Sequence, residues 1–138
     1  MSSTKSTPRG IRNNNPLNLR ISSTPWQGKK TPNTDGSFEQ FISLEYGLRA
    51  AMVNIRTMIR RDRLDRIATL IPRWAPKSDG NDESAYIRYV CDRSKIGMND
   101  RLDRNNKNQI CRLVWAMAEM ECGVSISFGR IENAWALI

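Results

Sequence analysis

The sequence has 138 residues, enough for one domain with a substantial core and too few for two ordinary ones. Its 22 Lys and Arg against 14 Asp and Glu give a net charge of +8 with no long block of one sign, a surface excess that suits anionic polymers such as nucleic acid, anionic lipid or bacterial cell wall. It contains no histidine, which excludes Ser/His and Cys/His nucleophile machinery and removes the commonest metal ligand.

Residues 1–9, rich in Ser, Thr, Lys and Pro, read as a flexible tail, and residues 10–138 as a single domain. The opening MSSTKSTPRG has no apolar run behind its charges, and no stretch of about 18 apolar residues follows. Neither a signal peptide nor a membrane span is therefore expected, and a target outside the bacterial cytoplasm requires another delivery route. Residues 10–42 form an irregular region that has room for a short β-hairpin. It begins with GIRNNNPLNLR, in which Pro16 biases Asn15 away from helical angles and the asparagine amides compete for backbone hydrogen bonds, so a shaped loop is predicted.

Ser43 is placed to cap a helix whose apolar residues Leu44, Leu48, Ala51, Met52, Ile55, Met58 and Ile59 share one face. A shorter helix is predicted over Leu64 to Ile71, broken by Pro72 and Pro76 around Trp74. The turn Ser78-Asp79-Gly80-Asn81 leads into a helix over Glu83 to Arg93, with Tyr86, Tyr89 and Val90 as its buried residues. Cys91, Cys111 and Cys122 lack CxxC spacing and predict reduced thiols. No Gly-rich phosphate loop is present, and neither a metal nor a cofactor is expected.

The last long helix, Arg104 to Cys122, carries the inward stripe Ile110, Leu113, Val114 and Met117, and the stripe continues to Glu121. Gly123 is placed as its left-handed cap. Burial and the negative end of the helix dipole both disfavour a charged carboxylate there and raise its pKa, as a general acid for glycosidic cleavage requires. Spacing alone favours the plainer reading, a partly exposed glutamate at a fraying helix end.

Several motifs carry a resemblance. GIRNNNPLNLR, Trp26-Gln27-Gly28, FEQFISLEYGLRA and RWAPKSDGNDESAYIRYV resemble, in that order and across most of residues 10–90, a family of small phage and prophage virion structural proteins. Members commonly close with a helix ending Glu-Asn-Gly, where this chain has Glu121-Cys122-Gly123. More distantly, the chain is similar to lysozyme-like lytic transglycosylases and flagellar-type glucosaminidases, with Asn18-Leu19, Trp26 to Gly28, Phe38 to Phe41 and Asp82 to Tyr86 preceding the glutamate helix instead of following it. The resemblance implies a mainly α, small single-domain lysozyme-like fold in circularly permuted order, with the segment after Gly123 near the N-terminal loop. Cys122 in place of Ser or Asn, and a tyrosine spacing shifted by one residue, are departures from the pattern.

The resemblance implies a peptidoglycan-cleaving enzyme with Glu121 as acid/base and Tyr86 facing it across the cleft. Asn13, Asn14, Asn15 and Asn18 either shape the loop or bind sugar hydroxyls, and Trp26 and Trp74 either stack on sugars or fill the core. Glu39 and Glu45 are the candidates for a second carboxylate, and Glu45 fits equally well as a first-turn helix residue. Without a clear second carboxylate, a lytic transglycosylase is the expected enzyme, because one carboxyl group then serves as acid and base while the muramyl C6 hydroxyl replaces water. Arg12, Arg20 and Arg49 are expected to clamp the fold. Two other classes stay open: a noncatalytic phage virion or assembly protein, for which Glu121 is dispensable, and a nucleic-acid binder using RTMIRRDRLDR, whose charge Asp62 and Asp65 interrupt.

Overall fold

A computed structural model describes residues 7–138; the tail expected over residues 1–9 lies outside the described residues up to residue 6, and Arg9 already belongs to a helix. The structure is mainly helical: α1 (Arg9–Arg12), α2 (Leu44–Arg61), α3 (Ile67–Trp74), α4 (Glu83–Ser94), α5 (Lys107–Cys122) and α6 (Phe128–Trp135), with a 3-10 turn at Lys77–Asp79. No described helix is long and apolar enough to cross a membrane.

The start of α2 follows from its cap, since the Ser43 hydroxyl accepts a hydrogen bond from the Tyr46 N–H at 3.3 Å and Glu45 sits in the first turn. All seven residues of its apolar stripe are buried. The helix ends where Arg63 takes the left-handed conformation (φ 57°) and the Leu64 N–H reaches back six residues to the Met58 carbonyl. Leu64, expected to begin the next helix, instead closes α2 and packs against the core, the usual place for an apolar residue just past a helix end. The next helix, α3, begins three residues later, at Ile67. It also runs through Pro72 to Trp74, whereas the sequence predicted a break there: only two residues follow the proline before the chain leaves helical geometry at Ala75.

The start of α4 is capped by Asp82 and that of α5 by Asn106, through side-chain oxygens that accept from Ala85 and Gln109 N–H at 3.0 Å each. Tyr86 and Val90 are buried, but Tyr89 is exposed, its hydroxyl donating to Glu119 at the surface. The i, i+4 pair faces the core while Tyr89 lies at its edge. The long C-terminal helix begins at Lys107 rather than Arg104, because residues 103–106 form the turn that caps it. Its stripe Ile110, Leu113, Val114 and Met117 has no exposed surface, and α5 packs against α1, α2, α4 and α6. The final helix, α6, was not foreseen and packs Ile131 and Ala134 against this core.

In the irregular region, residues 38–42 lie between two other segments. Two isolated antiparallel bridges, Arg20 with Phe38 and Lys29 with Phe41, mark the pairing. The polypeptide is tied to α2 at Gly47, where an added Cβ would run into the Asn14 carbonyl oxygen, so glycine permits the loop to lie directly on the helix.

Candidate functional site

The asparagine-rich loop is built by its own side chains. Asn15 is fully buried: its amide donates to the Leu19 and Glu39 carbonyls, each at 2.9 Å, and its oxygen accepts from the Leu19 N–H at 2.9 Å. Asn13, also buried, donates to Asp35 Oδ1 and accepts from Gln40 Nε2, both at 3.1 Å. Asn14 donates to the Phe41 carbonyl at 3.0 Å. Asn14 and Asn18 are both left-handed at φ 53°, a conformation that asparagine tolerates better than most side chains.

Asn18 turns the other way. Its Nδ2 donates to Glu121 Oε1 at 3.2 Å, and the Tyr86 hydroxyl donates to Glu121 Oε2 at 2.9 Å. Loop, α4 and α5 thus meet at one carboxylate, across sequence separations of 103 and 35 residues. Gly123, left-handed at φ 71°, ends α5 with its N–H on the Glu119 carbonyl, as its position in the sequence predicts. Beside it the Cys122 thiol donates to the Pro16 carbonyl at 3.1 Å, fastening the helix end to the loop.

Burial pushes the Glu121 carboxyl above its ordinary value, while hydrogen bonds from Tyr86, Asn18 and Trp74 pull the other way and only partly offset it. Burial, together with the neighbouring carboxylate, raises the Tyr86 hydroxyl well above its usual range, so it stays protonated and donates. The Cys122 thiol is pushed up to about 11 by burial, reinforced by Glu121, which makes it a packing group and a donor rather than a nucleophile.

Glu121 opens into a cleft of about 440 Å³. Asn18 and Trp74 line it, together with residues that sequence reasoning had not assigned to a site: Arg20 and Arg73 on its walls, Asn54 from α2, and Asp79 and Asn81 from the turn before α4. Asp79 is the other carboxylate of this lining. The remaining expected site residues lie elsewhere. Asn13 and Asn15 are inside the loop, and Trp26 packs on the cluster of Leu19, Phe41 and Ala50. Glu39 is buried and paired with Lys29 Nζ at 2.8 Å, so it is structural and not a cleft carboxylate. Glu45 makes a two-pronged ion pair with Arg130, at 2.8 and 3.0 Å, that holds its carboxyl below the ordinary value. Arg49 clamps the C-terminus by donating to the Leu137 carbonyl at 3.1 Å; Arg12 is exposed.

Among the described residues no group of three or more Cys, Asp or Glu side chains is arranged to hold a metal ion. Cys91, Cys111 and Cys122 are free thiols. The site is therefore one half-buried acid with two firm donors, in a polar cleft with cationic walls.

No protein-family model matches the sequence. A curated relative does: over 118 residues, spanning 83% of this chain and 71% of the relative, the sequence is 36% identical to Protein P5 of Pseudoalteromonas phage PM2, and the chain belongs to the family of that phage protein.

Proposed function

We propose that this phage-family protein cleaves the glycan strands of peptidoglycan, with Glu121 as acid and then base. The observation that carries the reading is a carboxyl group raised by burial, open to a cleft and held on both oxygens by Asn18 and Tyr86. Burial favours the protonated resting form that a general acid needs near neutral pH. The donors from Tyr86, Asn18 and Trp74 stabilise the carboxylate left after the proton passes to the glycosidic oxygen. Arg20 and Arg73 in the cleft suit a glycan bearing carboxylates.

The lysozyme-like, circularly permuted arrangement belongs to the same reading. The end of α5 lying on the asparagine loop, through Cys122 to Pro16 and Glu121 to Asn18, supports it. A single carboxyl group acting twice gives lytic transglycosylase products, whereas Asp79, lining the same cleft, offers a base for water. Digestion of purified peptidoglycan, followed by mass spectrometry, separates the two: anhydromuramyl ends for the transglycosylase, ordinary reducing ends for the hydrolase. Glu121→Gln is expected to reduce either product at least ~1000-fold, the scale of losing an essential proton-transfer group. Equal turnover by wild type and variant would remove the site assignment.

The comparison itself favours a second reading, because what it supplies is kinship to a phage protein and not an activity. In that reading the chain is a noncatalytic virion or assembly protein that uses the fold as a scaffold or as a binder of cell wall. It predicts no glycan products from wild type, and phage particles carrying Glu121→Gln that assemble and infect normally.

A further inference from the structure

A second cleft, of about 620 Å³, shares no lining residue with the first. Four arginines line it: Arg60 and Arg63 from the end of α2 and its closing turn, and Arg101 and Arg104 from the segment before α5. Two carboxylates accompany them, and both are engaged. Asp65 lies 3.5 Å from Arg101, and Asp103 accepts from the Asn105 N–H at 2.9 Å. The negative charges that interrupt RTMIRRDRLDR are thereby largely answered from within, since Asp62 is also gripped by Arg61 at 2.9 and 3.1 Å. Among the described residues, Arg60 and Arg63 have no carboxylate partner.

The two segments are fixed to each other. Leu102 N–H donates to the Asp65 carbonyl at 2.7 Å, Arg56 Nε to the Arg104 carbonyl at 2.8 Å, and Arg104 Nε to the Arg56 carbonyl at 3.3 Å. Like charges are thus brought together on a rigid frame, and burial together with the nearby Arg104 charge holds the Arg56 guanidinium below its ordinary value. A merely solvated helix face gains nothing from such an arrangement, whereas a row of phosphates does.

We propose that this arginine cleft binds the phosphate backbone of DNA without regard to sequence, independently of the Glu121 cleft. The lining favours nucleic acid over a membrane, because its apolar side chains, Ile59 and Leu102, are buried as a floor and leave nothing to insert among acyl chains. It also lacks the aromatic face that a sugar ring would stack upon.

The test is fluorescence anisotropy of a labelled duplex of arbitrary sequence, titrated with the full chain over a range of salt concentrations. Wild type is expected to lose affinity steeply with salt, with a log–log slope of about 3 if Arg60, Arg63 and Arg104, none of them held by a carboxylate among the described residues, each meet one phosphate. Arg60→Gln combined with Arg63→Gln should make the slope shallower by about two, and Arg101→Gln should change it by less than about one, because Arg101 answers Asp65. Arg12→Gln combined with Arg88→Gln removes the same charge from exposed positions elsewhere and should leave the slope in place. Glu121→Gln should bind DNA as wild type does, whether or not it cleaves glycan. The proposal is overturned if wild type shows no salt-dependent binding, or if the two double variants lose affinity equally. Capture by phosphatidylglycerol vesicles without binding to the duplex also overturns it.

Discussion

Asn15 and Asn18, three residues apart in one loop, serve opposite ends. The first is sealed inside, its amide bonded only to backbone groups, of Leu19 in the same loop and of Glu39 in the neighbouring segment. The second is half-buried at the edge of the cleft and gives its amide to a carboxylate on a distant helix. An excess of asparagines in a sequence therefore does not mark an excess of ligand-binding groups. Asn14 and Asn15 satisfy backbone groups that a true sheet would have paired in this region, Asn13 ties the side chains of Asp35 and Gln40, and only Asn18 works outward.

Variants that strike the sealed half should cost far more stability than variants at the open half. The largest loss is expected from Gly47→Ala. The new methyl group meets the Asn14 carbonyl, a backbone atom that can yield only if the loop lifts off α2, and we expect a destabilisation on the order of 4 kcal/mol, read from the urea midpoint. A variant as stable as wild type would show that the loop is not seated on the helix.

Next comes the direct contrast within the loop. Asn15→Ala strands the buried Leu19 N–H and the Glu39 carbonyl, at roughly 1–3 kcal/mol each, so a loss of about 3 kcal/mol is expected. Asn18→Gly keeps the left-handed backbone accessible and removes one half-buried hydrogen bond, for about 1 kcal/mol. It should also raise the Glu121 pKa further, because the Asn18 bond is one of those pulling it down. Carboxyl NMR on both variants, alongside their unfolding curves, checks the pair. Equal destabilisation would mean that the two amides share one role.

The sequence made local elements readable and long-range ones only through resemblance. The Ser43 cap, the stripe from Ile110 to Met117 and the cap at Gly123 each rest on signals within a few residues. Burial of Tyr86 beside Glu121 does not, and periodicity alone left Glu121 open to being a frayed, solvated end. The motif order, not the helical spacing, suggested that Asn18, Tyr86 and Glu121 share a cleft. The walls contributed by Arg20, Arg73 and Asp79 stayed hidden because polar residues facing a cleft have the same spacing as polar residues facing water. For α6 a signal existed: Phe128, Ile131, Ala134 and Trp135 fall at helical spacing directly after Ser127.

The smallest expected effect is a slope, and it separates two carboxyl groups that both touch the loop. Glu121 has a folded pKa raised by burial, so between its ordinary value of 4.5 and that higher value the folded chain holds a proton that the unfolded chain has released. Stability contributed by this group therefore falls as pH rises through that window, then levels off. Asp35 is the reverse. Its hydrogen bonds from Arg9, the Phe38 N–H and Asn13 hold its carboxyl well below the ordinary value of 3.8, so its contribution is present above that value and disappears as pH falls toward the folded pKa. Urea midpoints measured across pH should show Glu121→Gln gaining on wild type as pH climbs above 4.5, and Asp35→Asn losing its disadvantage only in acid. Parallel pH curves for wild type and Glu121→Gln would mean that the folded pKa of Glu121 equals the unfolded one, the hydrogen bonds from Tyr86, Asn18 and Trp74 then offsetting burial in full. Burial would then no longer explain a proton held ready in the cleft.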